Sequence, residues 1–188
     1  MKKIGITGGI GSGKSVVADL LKIMGIPVYI ADTESKKLTN SLPELKEKLC
    51  RLFGNDLYQT GTLNKSYLSS LIFKNKKNLE KVNSIIHPYV LNDFQNWAEN
   101  QALSIIAIES AILFESGFDK YTDEIWTVYA PLDARINRVI KRESTTRESV
   151  MERIRSQLPD EEKCKRSDFI IYNDEIKAII PQVERLLF

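Results

Sequence analysis

Short apolar runs alternate along the chain with stretches in which apolar residues recur every three or four positions. The run at 103–108 is almost continuously apolar, which is typical of a strand buried on both faces. Helical periodicity follows the first run, with Gly25 as a C-cap, and returns at 132–142. Strands separated by helices form parallel sheets, so the order predicts an α/β fold, a doubly wound parallel sheet in three layers. The predicted strands span 2–7, 26–31, 103–108, 124–129 and 169–172.

From about residue 33 to residue 101 the pattern predicts helices and no strand. Leu68, Leu71 and Ile72 share one helical face there, and Gly54 and Gly61 separate helical stretches. We therefore predict one domain, in which a core of residues 1–32 and 102–188 carries a helical insert at about 33–101. The predicted helices of the insert span 43–53, 65–74, 78–86 and 88–100.

Two further helices are predicted from their starting residues. Thr145 and Glu148 form a capping-box pattern for a helix that runs to about Gln157. Asn173 is a suitable N-cap for a C-terminal helix that ends near residue 187, within which Pro181 must introduce a kink or a break.

The segment from Gly8 to Ser15 matches the pattern G-x-x-x-x-G-K-[ST] of a phosphate-binding loop. Glycines allow successive N–H groups to converge on one anion, Lys14 supplies a positive charge for the β- and γ-phosphates, and the Ser15 hydroxyl can ligate Mg²⁺. A glycine-rich turn with a structural role is the alternative. The order of strand, loop and helix favours a mononucleotide-binding loop, and with it a P-loop NTPase type of fold.

Composition and charge narrow the classes of partner. The chain has 188 residues, 43% hydrophobic and 28% charged, with a net charge of +2, which gives no electrostatic case for nucleic acid or membrane binding. Two cysteines and one histidine argue against a disulfide framework and against a zinc or histidine-based metal site. With no signal peptide and no apolar run of membrane-spanning length, we expect a cytoplasmic protein.

Asp32 is the candidate for the group that accepts the proton of an attacking hydroxyl. It follows the second predicted strand, and ligands of open α/β sheets lie at the carboxyl ends of the strands. An N-cap role for a helix that begins near Thr33 is equally compatible with its position.

Three arginines share one face of the predicted helix at 132–142, because Arg135, Arg138 and Arg142 are spaced by three and four residues. A solvated helix face is one interpretation. The other is a basic helical lid, at about 140–166, which closes over phosphates and stabilises the transferring group.

Two carboxylates are alternative candidates for assisting Mg²⁺. Glu109 ends the strand predicted at 103–108, and Glu115 follows a few residues later. His87 precedes Pro88, and a proline in the first turn of a helix explains this pair without a catalytic role.

Taken together, several motifs resemble the dephospho-coenzyme A kinase family, in order and in approximate spacing. The pieces cover essentially the whole chain: 6–15, Ala31-Asp32, Gly61-Thr62-Leu63, His87-Pro88, Leu113-Phe114-Glu115, the arginines from 138 to 147, Gln157, and 167–173. The resemblance implies ATP-dependent phosphorylation of the ribose 3′-hydroxyl of dephospho-CoA, with Mg²⁺. It also implies that Asp32 is the catalytic base, that the insert binds the acceptor and that the lid arginines close over the phosphates.

The predicted site combines the motif with this resemblance, and we expect a monomer or weak homo-oligomer. One alternative is another small-molecule P-loop kinase, of nucleoside monophosphate or shikimate type. The other is a nucleotide-switch protein, and the lack of an Asn-Lys-x-Asp guanine-specificity motif argues against it. The predicted catalytic residues are Asp32, Lys14 and Arg142; the metal ligand is Ser15; the ATP-binding residues are Gly9, Gly11, Ser12, Gly13, Lys14, Ser15, Val16, Arg138, Arg142 and Asn173.

Overall fold

The computed structural model describes residues 1–72 and 75–188, which divide into two compact units. The first unit comprises Met1–Ile30 and Gln101–Phe188, and the second comprises Ala31–Asn100. The strands are β1 Lys2–Thr7, β2 Val28–Ile30, β3 Ile105–Glu109, β4 Glu124–Tyr129 and β5 Phe169–Tyr172. The helices are α1 Lys14–Ile23, α2 Ala31–Ser41, α3 Pro43–Phe53, α4 Lys65–Ile72, α5 Lys76–Glu99, α6 Leu132–Glu143, α7 Arg147–Arg155, α8 Asp160–Arg166 and α9 Ile179–Leu187.

The first unit is built on a five-stranded sheet in which every pairing is parallel, in the order β2-β3-β1-β4-β5. The predicted parallel α/β sheet is confirmed. Strand β1 lies at the centre and pairs with β3 and β4, so the chain leaves the sheet at its middle when it enters the phosphate loop.

Alternate residues of β1 face opposite layers of helices. Ile4 and Ile6 are fully buried in a cluster with residues of α1 and α9. On the other face, a Cβ at Gly5 would lie 2.8 Å from the Leu113 side chain, and the Thr127 hydroxyl of β4 contacts the backbone of α8. The sheet is therefore covered on both faces, as in the predicted three-layer arrangement.

The second unit is helical, and α5 is its longest helix, with 24 residues. The prediction of two helices here, at 78–86 and 88–100, is wrong, because α5 continues through Pro88. One buried apolar stripe with a four-residue repeat runs along α5 on both sides of Pro88, and its packing outweighs the backbone hydrogen bond that proline removes. The stripe consists of Val82, Ile86, Val90, Phe94 and Ala98.

Among the described residues, no helix is long and apolar enough to cross a membrane.

Further element boundaries differ from the predictions. The second strand is shorter than predicted at both ends, at Val28–Ile30, and α2 already begins at Ala31. The third strand is observed at Ile105–Glu109 and not at 103–108, so Glu109 is its last residue. The N-cap of α7 is Thr146, whose hydroxyl accepts from the Ser149 N–H, and not Thr145. Asn173 does not cap α9, which begins at Ile179 with Pro181 in its first turn. The helix predicted at 65–74 is observed to residue 72, and its last two residues lie outside the described part of the chain.

Candidate active site

The predicted phosphate loop connects the end of β1 to the start of α1. Gly13 is the N-cap residue of α1 with a φ of 97°, a conformation that residues with a Cβ rarely adopt. The first-turn N–H groups of α1 therefore point toward the loop, where the helix dipole favours an anion. The backbone is suited to hold a phosphate group.

Lys14 and Glu109 form the charged centre of this loop. Lys14 is only 9% exposed, and its Nζ lies 3.4 Å from the Gly9 carbonyl oxygen and 3.8 Å from Glu109 Oε1. Glu109 is 7% exposed and ends β3, beside Ile6 of β1. The structure thus brings one of the two candidate carboxylates to the loop lysine.

The polar atoms around the loop fit a nucleotide with its metal ion. Within the described residues, the buried hydroxyls of Thr7 and Ser12 have no hydrogen-bond partner, so each can serve a ligand oxygen. Ser15, in the first turn of α1, and Glu109 are oxygen donors of the kind that Mg²⁺ prefers. Mg²⁺ held by Ser15 and Glu109 would supply positive charge to neutralise the phosphates.

Asn173 and Arg138 meet beside the loop. The Asn173 side-chain amide donates to the Ser12 carbonyl at 2.8 Å, and Arg138 donates to the Asn173 carbonyl at 3.1 Å. A Cβ at Gly13 would collide with the Asn173 amide, which places this residue directly against the loop. Their predicted contact with the nucleotide remains a prediction.

Arg135 does not share the environment of the other two arginines on α6. It is 1% exposed, its Nε donates to the Ile10 carbonyl at 2.9 Å, and it forms an ion pair with Asp160. Burial lowers the pKa of the Arg135 guanidinium, and this effect is opposed by Tyr129 and Glu161. The interpretation as a solvated helix face is therefore wrong for Arg135.

Arg142 is the exposed member of the set, with 60% of its side chain accessible. It pairs with Glu143, which also accepts from Arg153 of α7 at 2.5 Å. Hydrogen bonds from Arg153 and then Arg142 lower the pKa of the Glu143 carboxyl. Arg142 is thus held at the junction of α6 and α7, with a guanidinium that water can reach.

Glu115 contacts α8 and the residues just before that helix. Its Oε1 accepts from the Leu158 N–H at 2.7 Å and lies 3.2 Å from the buried Lys163 ammonium. Lys163 also donates to the Ala111 carbonyl, and burial lowers its pKa, although the nearby Glu115 raises it in part.

Asp32 is the second residue of α2 and belongs to the second unit. The alternative in which Asp32 caps a helix is wrong, because the helix has already begun at Ala31. Asp32 follows β2 by two residues, and Ile30 at the end of β2 is paired with Glu109.

Sequence reasoning missed the ionic contacts of Asp160 and Lys163, the first with Arg135 beside the loop and the second with Glu115. Both residues lie in a charged stretch that is typical of a solvated helix, and no local periodicity indicates which of its residues are buried. Gln157 carries only the family resemblance in the sequence, yet its side chain accepts from the Ile10 N–H at 3.0 Å.

Comparison with known proteins supplies a family. The dephospho-CoA kinase family model matches residues 2–178. A dephospho-CoA kinase of Bacteroides fragilis is 50% identical over 186 residues, 98% of this chain and 91% of that protein. The crystal structure of TT1252 from Thermus thermophilus has a TM-score of 0.85 and 33% identity, with 99% and 94% of the two chains covered. Shikimate kinase from Acinetobacter baumannii shares the fold, with a TM-score of 0.59, 16% identity, and 100% and 91% coverage.

Proposed function

The chain belongs to the dephospho-CoA kinase family, and we propose that it transfers the γ-phosphoryl group of ATP to the ribose 3′-hydroxyl of dephospho-CoA. The observation that carries the proposal is the phosphate loop with its buried Lys14–Glu109 pair, 3.8 Å apart, at the centre of a parallel sheet. The sheet and loop would serve any small-molecule kinase, so the choice of acceptor rests on family membership.

The reaction needs a positioned nucleophile more than covalent help from the protein. The acceptor hydroxyl oxygen forms a bond to the γ-phosphorus, and the bond from the γ-phosphorus to the β–γ bridging oxygen breaks, which releases ADP. The hydroxyl proton passes to the Asp32 carboxylate. Support for Asp32 is its place just after β2, a strand of the sheet that carries the loop, and the family resemblance.

Basic side chains and Mg²⁺ neutralise the negative charge of the phosphates. Lys14 lies inside the loop and binds the β- and γ-phosphates, and Arg142 stabilises the transferring group when the lid closes. Ser15, with Glu109 nearby, would hold Mg²⁺. Asn173, which contacts the loop, binds the nucleotide on the side of the adenine, and Arg138, which donates to the Asn173 carbonyl, also binds the nucleotide.

We also place the reaction in the cytoplasm, with a small-molecule acceptor, without nucleic acid, and in a monomer or weak homo-oligomer. A net charge of +2 and the family's small substrates support this setting.

The test is ATP consumption in the presence of dephospho-CoA, compared with a panel of nucleoside monophosphates and shikimate, with product masses measured directly. We expect a product one phosphoryl group heavier than its acceptor with dephospho-CoA alone. Turnover of shikimate or a nucleoside monophosphate, without turnover of dephospho-CoA, would retain the kinase fold and overturn the acceptor.

A further inference from the structure

Ile10, at a variable position of the phosphate loop, is fixed by contacts of three kinds. Its carbonyl accepts from Arg135 Nε at 2.9 Å, and its N–H donates to Gln157 Oε1 at 3.0 Å. Its side chain packs against the apolar cluster shared by α6 and α7, which contains Val139 and Val150. The glycines alone would leave the loop conformationally flexible. The contacts of Ile10 therefore anchor it at its middle.

Gln157 and Asp160, the partner of Arg135, belong to one short segment, residues 157–160, which we call the connector because it leads from α7 into the first residue of α8. Gln157 contacts the loop, the N–H of Leu158 donates to Glu115 at 2.7 Å, and Asp160 pairs with Arg135. The contacts with Glu115 and Arg135 hold the connector in place and so fix the position from which the Gln157 side chain reaches the loop.

Peptide planarity turns these contacts into an orientation of the loop. In a planar trans peptide the N–H and the C=O point in opposite directions. When the Ile10 N–H points to Gln157, the Gly9 carbonyl must point the other way, and it lies 3.4 Å from Lys14 Nζ. When the Ile10 carbonyl points to Arg135, the Gly11 N–H must turn away from Arg135.

We propose that Gln157 and the Arg135–Asp160 pair are positioning residues that set the two peptide groups of Ile10 and so preorganise the loop for the phosphates of ATP. The inference rests on the proposed function in taking ATP as the ligand. Preorganisation strengthens binding because less conformational freedom is lost when the ligand arrives.

The pair lies directly against the loop. A Cβ at Gly9 would run into the Arg135 guanidinium and would lie 2.6 Å from Asp160 Oδ1, and a Cβ at Gly11 would lie 2.5 Å from the Arg135 carbonyl. These glycines are thus required by the contact with α6 and the connector as well as by the phosphates.

The first test is Gln157→Leu, which removes the acceptor oxygen with little change in volume and none in charge. We expect the Kd for ATP, measured calorimetrically without acceptor, and the KM for ATP to rise roughly 3- to 10-fold, as for one net hydrogen bond. The KM for dephospho-CoA should stay within about twofold of the wild-type value. The matched control is Asp123→Ala, which removes the side-chain acceptor of the Lys3 N–H on β1, at 2.7 Å, away from the loop.

The second test, Asp160→Asn, separates positioning from simple electrostatics by the sign of its effect. Removal of a negative charge beside the loop should strengthen ATP binding if Asp160 acts only through its field. If Asp160 holds Arg135 against Ile10, the same variant should weaken ATP binding, in spite of the more favourable charge.

The proposal is overturned if Gln157→Leu lowers the Tm but leaves both the Kd and the KM for ATP unchanged, since that is the behaviour of a purely structural contact. An Asp160→Asn variant that binds ATP as tightly as wild type, or more tightly, overturns the part played by the ion pair. Because ATP affinity is measured without acceptor, these outcomes remain readable even if dephospho-CoA proves not to be the substrate.

Discussion

At the scale of single residues, we expect phosphate binding to depend on the charge of Lys14. Lys14→Met should weaken ATP binding roughly 10- to 100-fold, since a hydrogen bond to a charged group contributes about 1.5–3 kcal/mol. Calorimetric titration with ATP measures this, and kcat should fall as well. Lys22→Met is the matched control, because Lys22 is an exposed lysine of the same helix, 3.2 Å from Asp19. Equal ATP affinity in the Lys14 variant and the control would contradict the assignment.

Asp32 is expected to act on the rate and not on nucleotide affinity. Asp32→Asn should lower kcat by roughly 10²–10⁴-fold, the range for a lost general base, and leave the Kd for ATP close to wild type. Steady-state kinetics with dephospho-CoA give the first value and calorimetry gives the second. Asp19→Asn, an exposed change on α1, serves as the control. Full activity of the Asp32 variant would exclude its role as the base.

At the scale of secondary-structure elements, the buried Lys163 attaches α8 to the rest of the first unit, through the Ala111 carbonyl and the partly exposed Glu115. Lys163→Met should lower the free energy of unfolding by about 1–3 kcal/mol, since it leaves these acceptors without their charged donor. Urea denaturation measures the change. The double variant Lys163→Met/Glu115→Gln should recover part of the loss, because the uncompensated charge is gone while the amide oxygen can still accept from Leu158.

The same helix provides a control for that measurement. Lys165 is exposed and lies 2.9 Å from Glu162, so Lys165→Met should change the unfolding free energy by less than about 1 kcal/mol. If both lysine variants were equally stable, the contacts of Lys163 would have no special weight in anchoring α8.

Elements whose signal is local could be predicted from the sequence. The bounds of β1, β4, β5 and α3 are as predicted, because each contains its own apolar pattern and its own turn residues. The continuity of α5 through Pro88 depends on what its apolar stripe packs against, so proline appeared to divide it. Tertiary packing keeps α5 continuous at Pro88, and a local sequence pattern contains no information about that packing.

At the scale of the whole molecule, the single histidine gives stability a pH dependence that can be isolated. Burial lowers the pKa of His87 below its ordinary value of 6.5, so just below pH 6.5 the unfolded chain binds more protons than the folded one. The free energy of unfolding should therefore fall as the pH drops below 6.5. Urea midpoints measured across that range for wild type and His87→Gln should diverge, with the variant less dependent on pH. Parallel curves would contradict the shift.

The nucleotide site was only partly predictable at this scale. The loop motif located Lys14 and Ser15 because its residues are adjacent in sequence. The support behind the loop comes from Arg135 and from the connector, more than a hundred positions along the chain, and no pattern within 132–160 distinguishes the buried arginine from its exposed neighbours. The motif predicts which residues contact the ligand, and tertiary packing determines which other residues hold the loop in place.

The pairing of β1 has a consequence for how the protein is made. Lys2 is paired with Ile105, so the central strand leaves the ribosome long before either of its neighbours exists. At about 5–20 residues per second, roughly 5–20 s pass before β3 follows, and the apolar side chains of β1 remain without a sheet during that time. Helices α2, α3 and α4 pack against α5, which lies in the same insert and is synthesised before β3. We therefore expect the phosphate loop, among the first residues synthesised, to be among the last to acquire its structure.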